Sequence, residues 1–318
     1  MQCLRCGNGT TRRDGQTRLG GQRWRCDTCR RRFTARSASA FSGHRFPDDV
    51  IALAVRWDAR FRLSYADVAE WLAARGFAVD RTAIYRWVQR FLPLFSVAAR
   101  RHRTRVGRKW RVDETYCDYQ GRQAYIYRAI DEDGQVVDAF FSERRNAAAA
   151  QAFFERALAE TEVTPTRVTT DKAKCSPPAL RAVLPGVEHR RSKYLNNGLE
   201  RDHSHLKQRL YPMRGFKRGE SADTLARGHA LIRNLRGGCS PLTAAVPPNL
   251  RLATAWPQLA QAIEPCPRPP CAALRPGSRR PLTPCPLRGN TTGSCPIPEP
   301  VSCARLQRIA LPPVEGGE

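Results

Sequence analysis

A multi-domain α+β chain is expected, because three unlike patterns succeed one another along the sequence. Two C-x2-C cysteine pairs open it, a stretch of helical period runs from Asp48 to Pro93, and period-two alternation begins after Gly107. With 318 residues there is room for two or three domains and at least one substantial core.

Charge indicates what the chain meets. Its 54 Lys and Arg against 29 Asp and Glu leave a net charge of +25, and only six of the 54 are Lys. Such a surplus suits a polyanion such as DNA or RNA, whose neutralised phosphates release counterions. The excess of Arg over Lys also fits a GC-rich genome. No apolar run approaches the roughly 18 residues of a membrane span, and Met1 to Cys6 has no signal-peptide character. A soluble, cytoplasmic protein is expected, in which twelve cysteines suggest metal ligands before disulfides.

Cys3, Cys6, Cys26 and Cys29 spell C-x2-C-x19-C-x2-C. That spacing suits a tetrahedral Zn2+ site, with two thiolates from each knuckle. Residues 1–36 are therefore expected to form a zinc ribbon, with a hairpin between Arg12 and Trp24. So small a unit cannot bury an adequate core, and metal binding, at roughly 10–16 kcal/mol apparent, would carry its folding. Arg23, Arg25, Arg30, Arg31 and Arg32 either contact DNA or leave the ribbon as a brace for its neighbour.

Residues 44–99 read as a helical helix-turn-helix domain. Val50, Ile51, Leu53, Ala54 and Trp57 mark a first helix, and Ser64 to Asp67 is a capping box for a second. Asp80 caps a third, Arg81 to Phe91, expected to stop before Pro93. Ile84, Trp87, Val88 and Phe91 share one side of it, and Thr82, Tyr85, Arg86 and Gln89 the other. Two helices joined by a Gly-containing turn, the second with a polar Arg-bearing face, form the pattern that enters a major groove. Thr82, Tyr85, Arg86 and Gln89, with Arg81 near the apolar margin, are candidate DNA-binding residues. A three-helix bundle with an ordinary solvated face is the competing reading. In the basic connector 100–108, Arg101, Arg103 and Arg105 are expected to hold phosphates.

From 109 to 238 the pattern predicts a ribonuclease-H-like α/β catalytic domain. Trp110 to Cys117 alternates with period two, Tyr125 to Ile130 and Val136 to Phe141 follow across turns, then come a helix from about Asn146 to Glu160, a strand Arg167 to Thr170, and a helix Leu199 to Leu210. Three antiparallel strands, a helix, a strand and further helices is the order of that fold. It delivers Asp113 within one strand, Asp171 at the end of another and Glu200 on a helix. Two divalent cations roughly 3.5–4 Å apart need hard anionic ligands, so these three carboxylates suit a two-metal phosphoryl-transfer centre using Mg2+ or Mn2+. Lys207, two turns beyond Glu200, would hold a phosphate beside the metals. Glu114 is expected on the opposite face from Asp113 and off the metal. Asp202 is expected to face solvent, His203 to lie on the buried stripe of Leu199, Leu206 and Leu210, and Asp131 to Asp133 to form a solvated turn.

Lys193 to Asn197, Glu200 to His203, Tyr211 to Phe216, Arg111 to Thr115 and Tyr85 to Val88 together resemble the transposases of the insertion sequence six family. The resemblance covers about residues 1–263 and includes a ribbon found in some members. It implies that Asp113, Asp171 and Glu200 are the DDE metal ligands, with Lys207 at the basic position that follows. It also implies a transposase that binds terminal inverted repeats, works as a homo-oligomer on DNA, and forms cointegrates through host replication on a prokaryotic nucleoid. The interval from Asp171 to Glu200, 29 positions, is shorter than usual for the family, and Cys175 to Pro178 replaces an aromatic-containing loop. A DNA-binding regulator or inactive remnant is the alternative, and a non-transposing nuclease of the same fold a third.

A helical extension is expected over 239–263, then a change of character. Thirteen of the 55 residues from 264 to 318 are Pro, five are Cys and none is Lys. This composition predicts a disordered C-terminal tail, and a shift of reading frame would account for it.

Overall fold

The computed structural model describes residues 1–17, 20–171, 175–192 and 197–263, apart from the side chains of 197, 198, 200 and 201. The expected disordered tail therefore lies outside the described residues. Strands β1 (Thr11–Gln16) and β2 (Gln22–Cys26) pair antiparallel, and β3 (Arg32–Phe33) adds to β2. Among the described residues of this unit, Cys3, Cys26 and Phe33 form its buried cluster, with Trp24 and Cys29 packed against them. No apolar core of that size holds a sheet together.

Helices α1 (Asp48–Arg60), α2 (Tyr65–Ala73) and α3 (Arg81–Arg100) follow. Ser64 and Asp67 bond reciprocally at the start of α2, and the Asp80 carboxylate accepts the Thr82 amide at 2.7 Å at the start of α3. Contrary to expectation, α3 does not end at Pro93 but continues for seven residues more. Proline removes the amide that would reach the Gln89 carbonyl, at a cost of about 3 kcal/mol. Phe95 and Ala98 continue the buried face beyond it and offset that loss.

A five-stranded sheet comes next. Strands β4 (Lys109–Tyr119), β5 (Arg122–Ile130) and β6 (Val136–Ser142) form an antiparallel meander. After α4 (Ala147–Thr161), β7 (Arg167–Thr170) lies parallel to β4; after α5 (Ser176–Val183), β8 (Glu188–Arg191) lies parallel to β7. The order β6-β5-β4-β7-β8 is that of a ribonuclease-H-like core. Phe153 and Phe154 of α4 and Leu180 of α5 cover one face. Helices α6 (Asn197–Leu210) and α7 (Gly219–Gly237) cover the other with Leu199, Leu206 and Ala226. Both α5 and β8 escape sequence reading, because β8 is Glu-His-Arg-Arg with no apolar alternation. Two further helices follow, α8 (Pro241–Ala244) and α9 (Arg251–Ala262). Among the described residues no helix is long and apolar enough to cross a membrane.

Expected boundaries at 99 and 239 do not delimit the packing. Leu231, Ile232 and Leu235 of α7 and Trp256 and Leu259 of α9 share one core with Ile51, Ile84, Phe91 and Phe95 of α1 and α3. The Trp256 ring stacks on Phe95 at 4.2 Å, and its Nε1 donates to the Ala52 carbonyl at 2.8 Å. Gly228 makes this possible, since a Cβ there would collide with the Leu92 side chain.

The expected solvated turn is also corrected. Asp131 is fully buried, and its carboxylate accepts the amides of Gly107, Asp133 and Gln135. Glu132 accepts the Lys109 amide at 2.8 Å. The turn thus fixes the chain where it enters β4.

Candidate active site

The last β4–β7 pair is Val112 with Thr170, and there β7 stops. Asp113 and Glu114 on β4 and Asp171 after β7 therefore surround an open strand end. Each offers a carboxylate oxygen within 4.8 Å of the others. Glu114 joins this cluster even though its side chain leaves the face opposite Asp113, because on the β7 side no strand pairs with β4 beyond Val112.

Burial, aided by the like charges of Glu114 and Asp171, pushes the Asp113 carboxyl up to about 6, although the Glu114 amide donates to it at 2.8 Å. Burial likewise raises Glu114. Arg145, immediately before α4, holds the cluster together: its Nη2 lies 3.1 Å from Glu114 Oε2 and 3.1 Å from Asp171 Oδ2. Burial opposes its charge, but Glu114 and Asp171 prevail and its pKa rises. The sequence offered no signal for Arg145, one arginine among many outside any motif.

On α6 the residues fall into two groups. His203 is buried as expected, with Nδ1 3.8 Å from Asp113 Oδ2; burial and then Arg128 lower its pKa to about 4, so it is neutral. Asp202 does not face solvent. It is 2 % exposed, paired with the fully buried Arg128 of β5 and with Arg233 of α7 at 2.8 Å. Arg128 Nη2 also lies 3.1 Å from His229 Nδ1. This buried network ties α6 to β5 and α7, since removing one partner would strand the others' charges. Glu200 falls within α6, but its side chain, like Lys172 and residues 193–196, is outside the described set. Lys207 is half-buried on the same helix.

Donor chemistry fits hard divalent cations at Asp113, Glu114 and Asp171: clustered anionic oxygens at a sheet edge, with Arg145 offsetting part of their like-charge repulsion. The four N-terminal thiols fit a different ion. All four Sγ atoms lie within 4.8 Å of one another, with Cys3–Cys29 and Cys6–Cys26 at 3.6 Å. A tetrahedron of Zn–S bonds near 2.3 Å has edges of about 3.8 Å, whereas a disulfide needs about 2.05 Å. Amides of Cys6 and Arg5 bring the Cys3 thiol down to about 6.

The α3 residues separate. Arg81, Thr82 and Arg86 are exposed. Tyr85 and Gln89 are half-buried, and the Tyr85 hydroxyl lies 3.3 Å from Ser221 Oγ of α7. In the connector Arg101 and Arg105 are exposed, but Arg103 turns inward. Its Nε meets Gln135 Oε1 at 3.0 Å and its terminal nitrogens meet the Val137 and Val136 carbonyls. Those bonds occupy the guanidinium expected to hold phosphate.

Residues 107–238 match a family described as a DDE domain. The chain is 38 % identical over 175 residues, 53 % of this chain and 77 % of the relative, to the transposase for insertion sequence element IS257 in transposon Tn4003 of Staphylococcus aureus. Identity and coverage are the same for the transposase for insertion sequence-like element IS431mec of that organism. Among solved structures, the HTLV-2 integrase catalytic core domain in complex with magnesium overlaps 42 % of this chain and 88 % of that one. Its TM-score is 0.31 at 16 % identity, too loose a likeness to bear on the site. Relatedness of that extent, over the sheet bearing the carboxylates, makes the chain a member of the insertion sequence six family of DDE transposases, enzymes that cleave and transfer DNA strands.

Proposed function

We propose that the protein binds the terminal inverted repeats of its element, cuts at the element ends and joins the freed 3′-OH to target DNA, giving cointegrates. The observation that carries this reading is the meeting of Asp113, Glu114 and Asp171 at one strand end, beneath the helix that bears Glu200. Asp113, Asp171 and Glu200 would hold Mg2+ or Mn2+. When bound, these ions polarise the scissile phosphate and stabilise charge on the attacking and leaving oxygens.

The chain's own groups bind and orient. Arg145 and Lys207 offer cations to non-bridging phosphate oxygens, and neutral His203 keeps a positive charge away from Asp113. In the first step a water oxygen bonds phosphorus as the P–O3′ bond breaks, leaving the element's 3′-OH. In the second, that oxygen bonds a target phosphorus as the target's P–O3′ bond breaks. Arg81, Thr82 and Arg86, with Tyr85 and Gln89 at the margin, read the repeat, while Arg101 and Arg105 add affinity without sequence. Cys3, Cys6, Cys26 and Cys29 hold a structural Zn2+ in the ribbon. The protein acts in the prokaryotic cytoplasm as a homo-oligomer on double-stranded DNA.

A strand-transfer assay with a repeat-ended duplex, a plasmid target and Mn2+ tests this. Asp113→Asn, Asp171→Asn and Glu200→Gln should each lose joining by roughly 10³-fold or more, about 4 kcal/mol of barrier, with DNA binding retained. Full activity in any variant removes that residue from the site. A wild type that binds repeat DNA but joins none would favour a regulator or inactive remnant.

A further inference from the structure

The surface between α1, α6 and α7 carries a cleft that the carboxylate site does not use. Its narrow part, about 70 Å³, is lined by Arg60 and Arg62 near the end of α1, His205 of α6, and Arg233 and Arg236 of α7. A wider part of about 410 Å³ continues from it, sharing Arg60 and Arg236 and adding Arg56. Since a buried water needs about 10–15 Å³ on this scale, the narrow part holds roughly five heavy atoms, the size of one phosphate group.

Positive charge there is only partly answered. Asp202 pairs with Arg233 at 2.8 Å, and the neighbouring Arg209 pairs with Asp58 at 3.0 Å. Among the described residues no carboxylate pairs with Arg60, Arg62 or Arg236. Arg60 lies instead over the Phe61 ring at 5.1 Å, and Arg62 donates to Gln208. Burial, then the charges of Arg236 and Arg62, lower the Arg60 pKa, so these cations feel one another. An ordinary solvated face scatters its arginines, whereas these converge from three elements on one concavity, which focuses potential on an entering anion.

We propose that this cleft is a clamp for a DNA backbone phosphate, gripped by the planar forks of Arg60 and Arg236. The inference rests on the reading that the chain binds DNA. The clamp joins α1, in the helical module, to α7, and α6, the helix that carries Glu200, lines the same cleft with His205 and Arg209. From Glu200 to Arg209 is nine residues, roughly 14 Å of helix, or about four nucleotides of duplex rise. DNA held on the helical module and gripped here would be fixed in register with the catalytic helix.

The test is a titration of the full-length protein with random-sequence duplex, read by fluorescence anisotropy at several salt concentrations. Arg60→Gln with Arg236→Gln should weaken binding roughly tenfold and flatten the slope of log affinity against log salt by roughly 0.9, the value for one phosphate no longer neutralised. Exposed Arg236→Gln alone should flatten it by less, because Arg60 still faces the phosphate, and the double Lys variant should keep the wild-type slope. Thermal midpoints guard against misfolding, and the single variant serves if the double one melts early. Wild-type affinity and slope in both Gln variants overturn the clamp. A wild type that binds no DNA overturns the DNA reading itself. Inorganic phosphate separates the remaining case: if it raises the wild-type midpoint but not the variant's, while DNA affinity is unchanged, the cleft is a small-anion site and the proposal fails.

Discussion

Among the described residues two clusters of side chains able to ligate a metal are built in opposite ways. The four thiols come from two C-x2-C knuckles within the first 29 residues, and among the described residues of that unit Phe33 alone joins Cys3 and Cys26 in the buried cluster. The carboxylates come from the middle of one strand and the end of another, and two layers of helices hold those strands in register. If the thiols hold zinc, metal is the scaffold of the first cluster. In the second the scaffold exists beforehand, and metal would only relieve the repulsion it imposes. The difference teaches which perturbation each region should resist.

The largest effect is expected at the thiols. A strong chelator, or Cys26→Ser, should unfold residues 1–36 of the full-length chain, because zinc binding at roughly 10–16 kcal/mol far exceeds what Cys3, Cys26 and Phe33 bury. The carboxylate-bearing sheet should keep its protected amides. Hydrogen exchange with metal analysis reads both, and a chain that binds no zinc would erase the contrast.

Glu114→Gln grades the second cluster. Its carboxylate faces Arg145 and Cys175 while Asp113 faces His203, so a role beside the metal rather than on it is expected. Joining should fall roughly 10–100-fold, a barrier of about 1.4–2.7 kcal/mol, less than for Asp113→Asn. Equal losses in single-turnover rates would make Glu114 a full ligand.

Arg103 and Arg105 should part company. Arg103→Ala removes a donor from the Val137 carbonyl and leaves the Val136 carbonyl to Asn234 and Gln135 Oε1 to Thr104, so it should lower stability to urea by roughly 1–3 kcal/mol and leave the salt slope of DNA binding unchanged. Arg105→Ala should flatten that slope by about 0.9 with no change in the urea midpoint.

Acid should loosen both regions by different routes. Burial, then Arg128 and Arg233, hold His229 well below its ordinary 6.5, so the folded state binds fewer protons there than the unfolded one. Its stabilising contribution is present above pH 6.5 and is lost as the pH falls below it, at up to about 1.4 kcal/mol per unit. His229→Gln should remove that slope from the unfolding of the sheet domain. Zinc release on thiolate protonation should persist in the variant, and a slope unchanged by the substitution would acquit His229.

The thiol cluster was legible because its spacing is local. Asp113 and Asp171 were legible because strand pattern and strand ends are local as well. Glu114 was not: alternation places a side chain on a face but says nothing of where the neighbouring strand stops, and Thr170 is that stop. Asp202 was misplaced for a similar reason, since angular position on α6 cannot reveal that α7 brings Arg233 against it. Pro93 was read as a stop because the apolar face beyond it gains its value from α9, far along the sequence.

That shared core also sets a timetable. Trp256, whose indole closes over Phe95 and bonds the Ala52 carbonyl, leaves the ribosome long after the helices it covers. At about 5–20 residues per second, the 150 residues between α3 and α9 take roughly 8–30 s to make. For that interval α1 and α3 stand with an apolar side open to water, vulnerable to proteases and to one another. The α1–α3 module is thus completed only when the strands and helices of the DDE domain have already been synthesised, and a chain ending before α9 would keep that apolar side open.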